Sequence, residues 1–196
     1  MSHEHDNAHQ AVRIEALETL LVEKGLIDSV GVDEVIKKFA EHTGPMNGAR
    51  LVAKAWADPQ FKARLLDNGR NAMDELGLSG AEAQQLDVVE NTSSVHNVIV
   101  CTLCSCYPWA VLGLPPTWYK QPAYRSRIVK EPRQVLAEFG VDLDPSTEVR
   151  VWDSSAEVRY MVLPERPLGT DGMDEDSLAE LVSRDAMIGV AKVPSP

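Results

Sequence analysis

The sequence lacks the features of membrane, secreted and nucleic-acid-binding proteins. No apolar run approaches the ~18 residues that a membrane-spanning helix needs, and the N-terminus, MSHEHDNAHQ, has no charged-then-apolar signal pattern. Basic residues are fewer than acidic residues: the chain has 19 Lys and Arg and 30 Asp and Glu, which gives a net charge of −11. Such an acidic surface repels a phosphate backbone. We therefore expect a cytoplasmic protein that binds neither membranes nor nucleic acid.

Cysteine is also scarce, and its placement is informative. The chain has three cysteines, Cys101, Cys104 and Cys106, all within six residues. An odd number at this spacing does not suit a disulfide framework, and one intervening residue makes a relaxed disulfide between Cys104 and Cys106 geometrically poor. Clustered thiolates in a reducing compartment usually bind metal or perform redox chemistry.

The first half of the chain has a helical pattern. From Ala11 to about residue 76 apolar residues recur at helical spacing, and Gly25 is placed as a helix stop. Asp58-Pro59 is typical of an N-cap followed by proline at the first helical position. The stripe of residues 11–24 faces either this chain or another one; it comprises Ile14, Leu17, Leu20 and Leu21.

After Gly80 the pattern changes to a mixture of strands and helices. Strands are predicted near 86–89, 95–100, 148–152 and 158–163, and helices over 131–139 and 174–183. Residues 107–122 hold four prolines and four aromatics and are predicted to form an irregular, well-packed loop with one helical turn. The fold class is therefore α+β, with a helical N-terminal region (1–85) followed by a mixed, layered α/β domain (86–196) that carries the cysteines.

The segment from Tyr107 to Val135 is a basic island in an acidic chain. It holds five basic residues and one acidic residue. The island is either a solvated face or a source of positive charge for a local anionic centre.

Spacing alone leaves the chemistry of the cysteines open. A structural zinc site or an iron–sulfur cluster usually needs four ligands, and His96 lies too far back on a strand to be an obvious fourth. A redox pair would leave Cys106 unexplained. The third option is a chelate of a trivalent ion such as Co(III), in which Cys101 adds a sulfur to those of Cys104 and Cys106 and to the backbone nitrogens of Ser105 and Cys106.

Residues 100–107, VCTLCSCY, resemble the metal-binding motif of the nitrile hydratase α subunit. Further landmarks of that family extend the resemblance over about residues 10–190. They are Glu90-Asn91-Thr92, His96-Asn97, Pro108-Trp109, residues 112–116, 118–120, 124–127, 150–157 and 159–164, Arg184-Asp185 and residues 187–190.

The resemblance implies one Co(III) ion per chain rather than iron, since Thr102 and Tyr107 match the cobalt class. It implies sulfur ligation by Cys101, Cys104 and Cys106 and backbone-nitrogen ligation by Ser105 and Cys106. Cys104 is then a sulfinate and Cys106 a sulfenate, and Cys104, Ser105 and Cys106 form the catalytic group. The metal acts as a Lewis acid on a nitrile, and the Cys106 sulfenate oxygen or an activated water attacks the carbon to give the amide.

Other residues are candidates for the surroundings of the metal. Asp153, Glu157 and Arg159 match a carboxylate–arginine network of the family, or form an ordinary ion pair at a strand edge. Tyr107 and Trp109 are candidates for the wall of the substrate pocket, or are plain core residues. Glu82 is a further candidate. It falls where the family has an active-site glutamine, unless a shift of one or two residues in the alignment places Gln84 or Gln85 there.

The resemblance also implies partners. A β subunit, single or split, packs on the helical N-terminal region and supplies two arginines to the oxidised sulfurs, and an accessory protein loads cobalt. The substrate is a small-molecule nitrile. The alternatives are a three-subunit nitrile hydratase acting on a nucleoside-type nitrile, the metal subunit of thiocyanate hydrolase, and a non-catalytic metal-binding module.

Overall fold

The computed structural model describes residues 2–41, 44–78, 85–104 and 106–196. The chain divides into two compact units, Met1–His42 and Thr43–Pro196. The expected boundary between a helical and a mixed region, at residues 85 and 86, therefore lies inside the second unit. That the helical region binds a partner and the mixed domain binds the metal stays a prediction.

The first unit contains two helices, α1 (Ser2–Glu23) and α2 (Ser29–Glu41). Helix α1 begins at Ser2 rather than at the predicted Ala11. Gly25 (φ 63°) ends it, since Gly25 N–H donates to the Val22 carbonyl and Leu26 N–H to the Leu21 carbonyl. These two bonds form a Schellman motif, and the left-handed φ favours glycine.

The second unit begins with three helices, α3 (Pro45–Ala57), α4 (Pro59–Asp67) and α5 (Gly69–Glu75). The predicted cap of α4 is confirmed, because the Asp58 carboxylate accepts hydrogen bonds from the backbone N–H groups of Gln60 and Phe61 at 2.8 and 3.1 Å. The apolar faces of α3 and α4 are buried in the core, where α3 packs on α4 and on later helices of this unit.

Within the described ranges, four strands form two parallel pairs. They are β1 (Gln85–Glu90), β2 (Val95–Val100), β3 (Glu148–Asp153) and β4 (Val158–Leu163), with β1 beside β4 and β2 beside β3. In the second pair Val100 lies opposite Asp153, so both strands end at the same edge. Cys101 directly follows β2, which places the cysteines at this carboxyl edge.

The connection from β2 to β3 is more regular than predicted. It contains α6 (Trp109–Leu112), a 3-10 turn (Thr117–Lys120), α7 (Pro122–Arg127) and α8 (Pro132–Glu138). Helices α7 and α8 each begin with proline, whose fixed φ suits the first helical position. Helix α6 confirms the one helical turn predicted within 107–122, whereas the 3-10 turn and the start of α7 were not predicted.

The chain ends with α9 (Glu175–Leu181) and α10 (Arg184–Ile188), the second of which the sequence pattern did not predict. Gly189 (φ 94°) terminates α10 against β2, and a Cβ there would lie 2.1 Å from the Asn97 carbonyl oxygen. Within the described part of the chain, no helix is both long enough and apolar enough to span a membrane.

Candidate metal centre

The three cysteine sulfurs converge in what we call the cysteine loop, residues 101–106. Their Sγ atoms all lie within 4.8 Å of one another, with 3.3 Å between Cys101 and Cys104 and 2.9 Å between Cys104 and Cys106. These distances exceed the ~2.05 Å of a disulfide bond. Cys101 and Cys106 are buried, whereas Cys104 is exposed.

The sulfur spacings test which coordination geometry the loop fits. With metal–sulfur bonds of ~2.3 Å, two sulfurs lie roughly 3.8 Å apart at a tetrahedral angle and roughly 3.3 Å apart at a right angle. The 3.3 Å spacing between Cys101 and Cys104 agrees with the right angle, and the 2.9 Å spacing between Cys104 and Cys106 is shorter than either value. Both spacings are therefore shorter than those of a tetrahedral zinc site.

His96 does not join the cysteines. Its Nε2 donates to the Gly189 carbonyl at 2.8 Å, and its Nδ1 lies 3.4 Å from the amide nitrogen of Asn91. Burial lowers the pKa of His96, so its ring is neutral at physiological pH. Five strand residues also place it ~16 Å from Cys101 along β2. Among the described residues, the cluster of metal-ligating side chains contains only the three cysteines.

Burial dominates the acid–base behaviour of Cys106. It raises the pKa of this thiol to about 12, with the neighbouring Cys104 and Cys101 acting in the same direction and the positive charge of Arg159 opposing them. A buried thiolate is costly without a cation, and metal binding releases the thiol proton. The loop therefore suits a bound cation better than three free thiolates.

Thr102 is held at three of its polar atoms. Asp153 accepts from the Thr102 N–H at 2.9 Å and from its hydroxyl at 2.5 Å, and the Arg125 guanidinium donates to its carbonyl. Asp153 reaches the loop because β2 and β3 end together. Sequence reasoning selected Asp153 but assigned it no bond to Thr102, and it missed Arg125 as an individual residue.

The predicted network of Asp153, Glu157 and Arg159 is not an ion-paired cluster. The Glu157 carboxylate accepts from the Ser155 hydroxyl at 3.0 Å, and Arg159 donates to the Ser155 carbonyl. Among the ion pairs of the described residues, none joins these three side chains. Arg159 is still near enough for its charge to act on Cys106.

The two aromatic candidates differ in burial. Tyr107 is 1% exposed and packs edge-to-face on Tyr119, with ring centroids 5.0 Å apart. The Tyr119 hydroxyl donates to the Cys106 carbonyl at 3.2 Å, so this aromatic pair supports the end of the cysteine loop. Trp109 is partly buried, with the Lys120 ammonium 5.8 Å from its ring centroid. Its place in a pocket wall stays a prediction.

Two arginines of the basic island bond to neighbouring groups away from the cysteine loop. Arg127 pairs with Glu131 and Glu138, and Arg133 donates to backbone carbonyls that include that of Thr147. Of the island, Arg125 contacts the cysteine loop.

Two predicted site residues, Ser105 and Glu82, lie outside the described residues, as does the alternative Gln84. The other alternative, Gln85, begins β1, and its side-chain amide donates to the Asp87 carboxylate at 3.1 Å. Their roles stay predictions.

Comparison with known proteins identifies the family to which the chain is similar. A family model described as nitrile hydratase, alpha chain, matches residues 8–191. A nitrile hydratase subunit alpha from a Rhodococcus species is 57% identical over 187 residues, which cover 95% of this chain and 94% of the relative. The low-molecular weight cobalt-containing nitrile hydratase subunit alpha from Rhodococcus rhodochrous is 53% identical, with coverage of 97% and 92%.

More distant relatives agree with this result. Thiocyanate hydrolase subunit gamma from Thiobacillus thioparus is 45% identical, and the match covers 92% of this chain but 78% of that protein. The solved structure of a double mutant of the Fe-type nitrile hydratase from Comamonas testosteroni superposes with a TM-score of 0.89 at 45% identity, covering 97% of this chain and 96% of that one. The motif, the converging sulfurs and these matches lead to one conclusion, that the chain belongs to the nitrile hydratase alpha-chain family.

Proposed function

We propose that this chain is the metal-bearing α subunit of a cobalt-dependent nitrile hydratase, which adds water to a nitrile to give the amide. The observation that carries the proposal is the convergence of three cysteine sulfurs at one strand edge, in a chain 53% identical to a relative named as cobalt-containing. Structural similarity alone does not select the metal, because the fold also matches an Fe-type enzyme.

The residues that would hold cobalt are Cys101, Cys104 and Cys106 through sulfur, together with the backbone nitrogens of Ser105 and Cys106. When bound, the ion would supply Lewis acidity toward the nitrile. The chain itself provides an opening, since Cys104 is exposed and the neighbouring Leu103 is 92% exposed. Substrate would approach from this side.

The surrounding residues fix the loop and balance its charge. Asp153 and Arg125 hold Thr102 between the first two cysteines. Arg159 places positive charge near Cys106, where oxidised, anionic sulfur would need it. These contacts pre-position the donor set before substrate arrives, which reduces reorganisation during the reaction.

The finer parts of the proposal concern the state and the surroundings of the enzyme. We expect Cys104 as sulfinate and Cys106 as sulfenate, a β subunit as partner, an accessory protein for cobalt loading, and a cytoplasmic location. The β subunit would cover the apolar residues that α1 leaves exposed.

The test is to co-express the chain with its β subunit and accessory protein in cobalt medium. We expect about one cobalt per chain, three added oxygens in the intact mass, and amide production from a nitrile panel. The Cys104→Ala variant should lose both cobalt and activity. Zinc or no metal, with unmodified thiols in the complete complex, would overturn the proposal.

The same panel separates the alternatives. The alternative function as a thiocyanate hydrolase subunit is supported by the relative that is 45% identical, although the match covers only 78% of that protein. Hydrolysis of thiocyanate without hydration of simple nitriles would favour it. Exclusive turnover of a nucleoside-type nitrile would instead favour the three-subunit class.

A further inference from the structure

A short part of the connection between β2 and β3 bonds to the backbone in and beside the cysteine loop. We call this part, residues 119–125, the supporting segment. Its side chains donate to three backbone carbonyls: the Tyr119 hydroxyl to Cys106 at 3.2 Å, the Tyr124 hydroxyl to Ile99 at 2.8 Å, and the Arg125 guanidinium to Thr102. One segment therefore contacts the strand before the loop, the first half of the loop and its last residue.

Packing holds the two tyrosine donors of the supporting segment in place. Tyr119 and Tyr124 are 1 and 6% exposed. Trp118 packs edge-to-face on Tyr124 and on Phe139, with ring centroids 4.9 and 4.8 Å away. Aromatic rings buried in such contacts have few rotamers open to them, because the interior is close-packed. The hydroxyl groups therefore have fixed positions, from which they restrain the backbone that accepts their hydrogen bonds.

The bond from Tyr124 attaches the supporting segment to β2. The Val100 carbonyl accepts from the Ser154 N–H at 2.8 Å, on the side of β3. Carbonyls of neighbouring residues in a strand point to opposite sides, so the Ile99 carbonyl faces away from β3. Tyr124 bonds it there at 2.8 Å. Strand β2 is thus held by β3 on one side and by Tyr124 on the other, which makes it a fixed point for the segment.

The bonds from Tyr119 and Arg125 act on the cysteine loop itself. They hold the carbonyls of Cys106 and Thr102, so that residues 103–105 alone lie between the two held positions. The carbonyl and the nitrogen of Cys106 share one Cα, and a fixed carbonyl therefore limits the backbone rotation of this residue. Its nitrogen and its sulfur are both proposed ligands, so their directions depend on that rotation.

We propose that Tyr119 and Arg125 are positioning residues, which hold the cysteine loop from both ends so that Cys106 presents its sulfur and its backbone nitrogen to cobalt. Tyr124 anchors the supporting segment to β2 and has no part in orienting the ligands. The inference rests on the proposed function, since it concerns the same metal centre. Tyr119 and Arg125 act through the backbone of the loop and touch neither substrate nor metal in this proposal.

The two tyrosines form a matched pair of variants in the cobalt-loaded complex. Tyr119→Phe and Tyr124→Phe each remove one buried hydroxyl that donates to a carbonyl, so each should lower Tm by about 2–4 °C. Only Tyr119→Phe should shift the thiolate-to-cobalt absorption band, because β3 still holds β2 in Tyr124→Phe. A wild-type band in Tyr119→Phe, or an equal shift in both variants, would overturn the role of Tyr119.

A second set of variants tests Arg125 and decides the matter even where Tyr119→Phe does not assemble. Arg125→Leu should shift the same band and lower the cobalt per chain after incubation with a chelator by about two- to tenfold, the effect of one lost hydrogen bond. Arg125→Lys should restore both, since an ammonium also donates to a carbonyl. Arg127→Leu is the control, because Arg127 pairs with Glu131 and Glu138.

The outcomes separate this inference from the proposed function. A wild-type complex that binds no cobalt refutes the proposed function. A wild-type complex that binds cobalt, with an unshifted band and unchanged cobalt retention in Arg125→Leu, refutes positioning by Arg125 and leaves the proposed function intact. A band shift in Arg127→Leu as large as that in Arg125→Leu would mean that any disturbance of helix α7 reaches the metal, which also contradicts the specific role of Arg125.

Discussion

Thr102 shows how single contacts fix the cysteine loop. Its backbone and side chain bond Asp153 at two points, and its carbonyl accepts from Arg125. Asp153 is exposed, so its hydrogen bonds restrain the cysteine loop through their geometry more than through burial. The three contacts leave the residue between Cys101 and Leu103 with little freedom to turn, which keeps the first two sulfurs close together.

Replacing Thr102 by valine tests this restraint. Thr102→Val keeps the shape of the side chain but removes the hydroxyl that donates to Asp153 at 2.5 Å. Because this bond is exposed, its loss costs about 0.5–1.5 kcal/mol, and 1.4 kcal/mol corresponds to about tenfold in an equilibrium constant. We expect cobalt retention to fall by about two- to tenfold, measured as cobalt per chain after incubation with a chelator.

Thr19→Val is the matched control for that experiment. The Thr19 hydroxyl donates to the Glu15 carbonyl within exposed helix α1, so its removal should leave cobalt retention unchanged. Equal retention in Thr102→Val and the wild type would show that the Asp153 contact does not restrain the loop.

Residue types at the site were predictable from the sequence, but their contacts were not. The thiol cluster follows directly from spacing over six residues. The bond from Thr102 to Asp153 spans 51 positions and depends on strand register, which no local pattern encodes. The same applies to Arg184, whose contact with Leu114 spans 70 positions.

At the scale of elements, α10 is held against β2 by a close backbone approach. Gly189 terminates the helix with φ 94°, and its carbonyl accepts from buried His96 at 2.8 Å. A Cβ at Gly189 would meet the Asn97 oxygen at 2.1 Å and Val98 Cα at 2.8 Å. Both contacts are with backbone atoms, which cannot rotate away as a side chain can.

A pair of glycine variants separates this clash from the cost of the backbone conformation. Gly189→Ala and Gly172→Ala both place alanine at positive φ, 94° and 81°, but a Cβ at Gly172 meets nothing within 4 Å. Gly172→Ala should cost roughly 1–2 kcal/mol. Gly189→Ala should cost at least several kcal/mol, with loss of soluble folded protein, because β2 and α10 must separate.

Thermal unfolding and soluble yield, measured side by side, decide that prediction. Similar losses of Tm in the two variants would mean that α10 shifts easily, and the packing of α10 on β2 would then not be rigid.

Element prediction succeeded where the sequence carries a clear local signal and failed where it does not. The strands and the capped helix α4 were predictable because alternation and the Asp58-Pro59 pair are local signals. Helices α7 and α10 have six and five residues, too few for an amphipathic period to emerge. Parallel pairing was not predicted, because it joins residues that lie more than fifty positions apart in the sequence.

At the scale of the whole molecule, the first unit leaves an apolar surface on α1. Ile14, Leu17 and Leu20, which follow one another at a spacing of three residues along the helix, are 66, 56 and 47% exposed. A contiguous apolar surface of this kind usually marks an interaction site. Because the chain belongs to a family of alpha chains, we propose that the β subunit covers this surface, which is one of the two interpretations of the stripe given by the sequence.

Polar substitutions on α1 test that proposal. The double variant Ile14→Gln, Leu17→Gln removes two side chains whose burial is worth about 1.5–3 kcal/mol each, while glutamine keeps the helix propensity. We expect binding to the β subunit to weaken at least a hundredfold, measured by titration of the separately purified chains. Glu23→Gln, on the opposite face of α1 from Ile14 at about 100° per residue, is the control and should bind as the wild type does. Unchanged affinity in the double variant, with helical content preserved, would place the β subunit elsewhere on the chain.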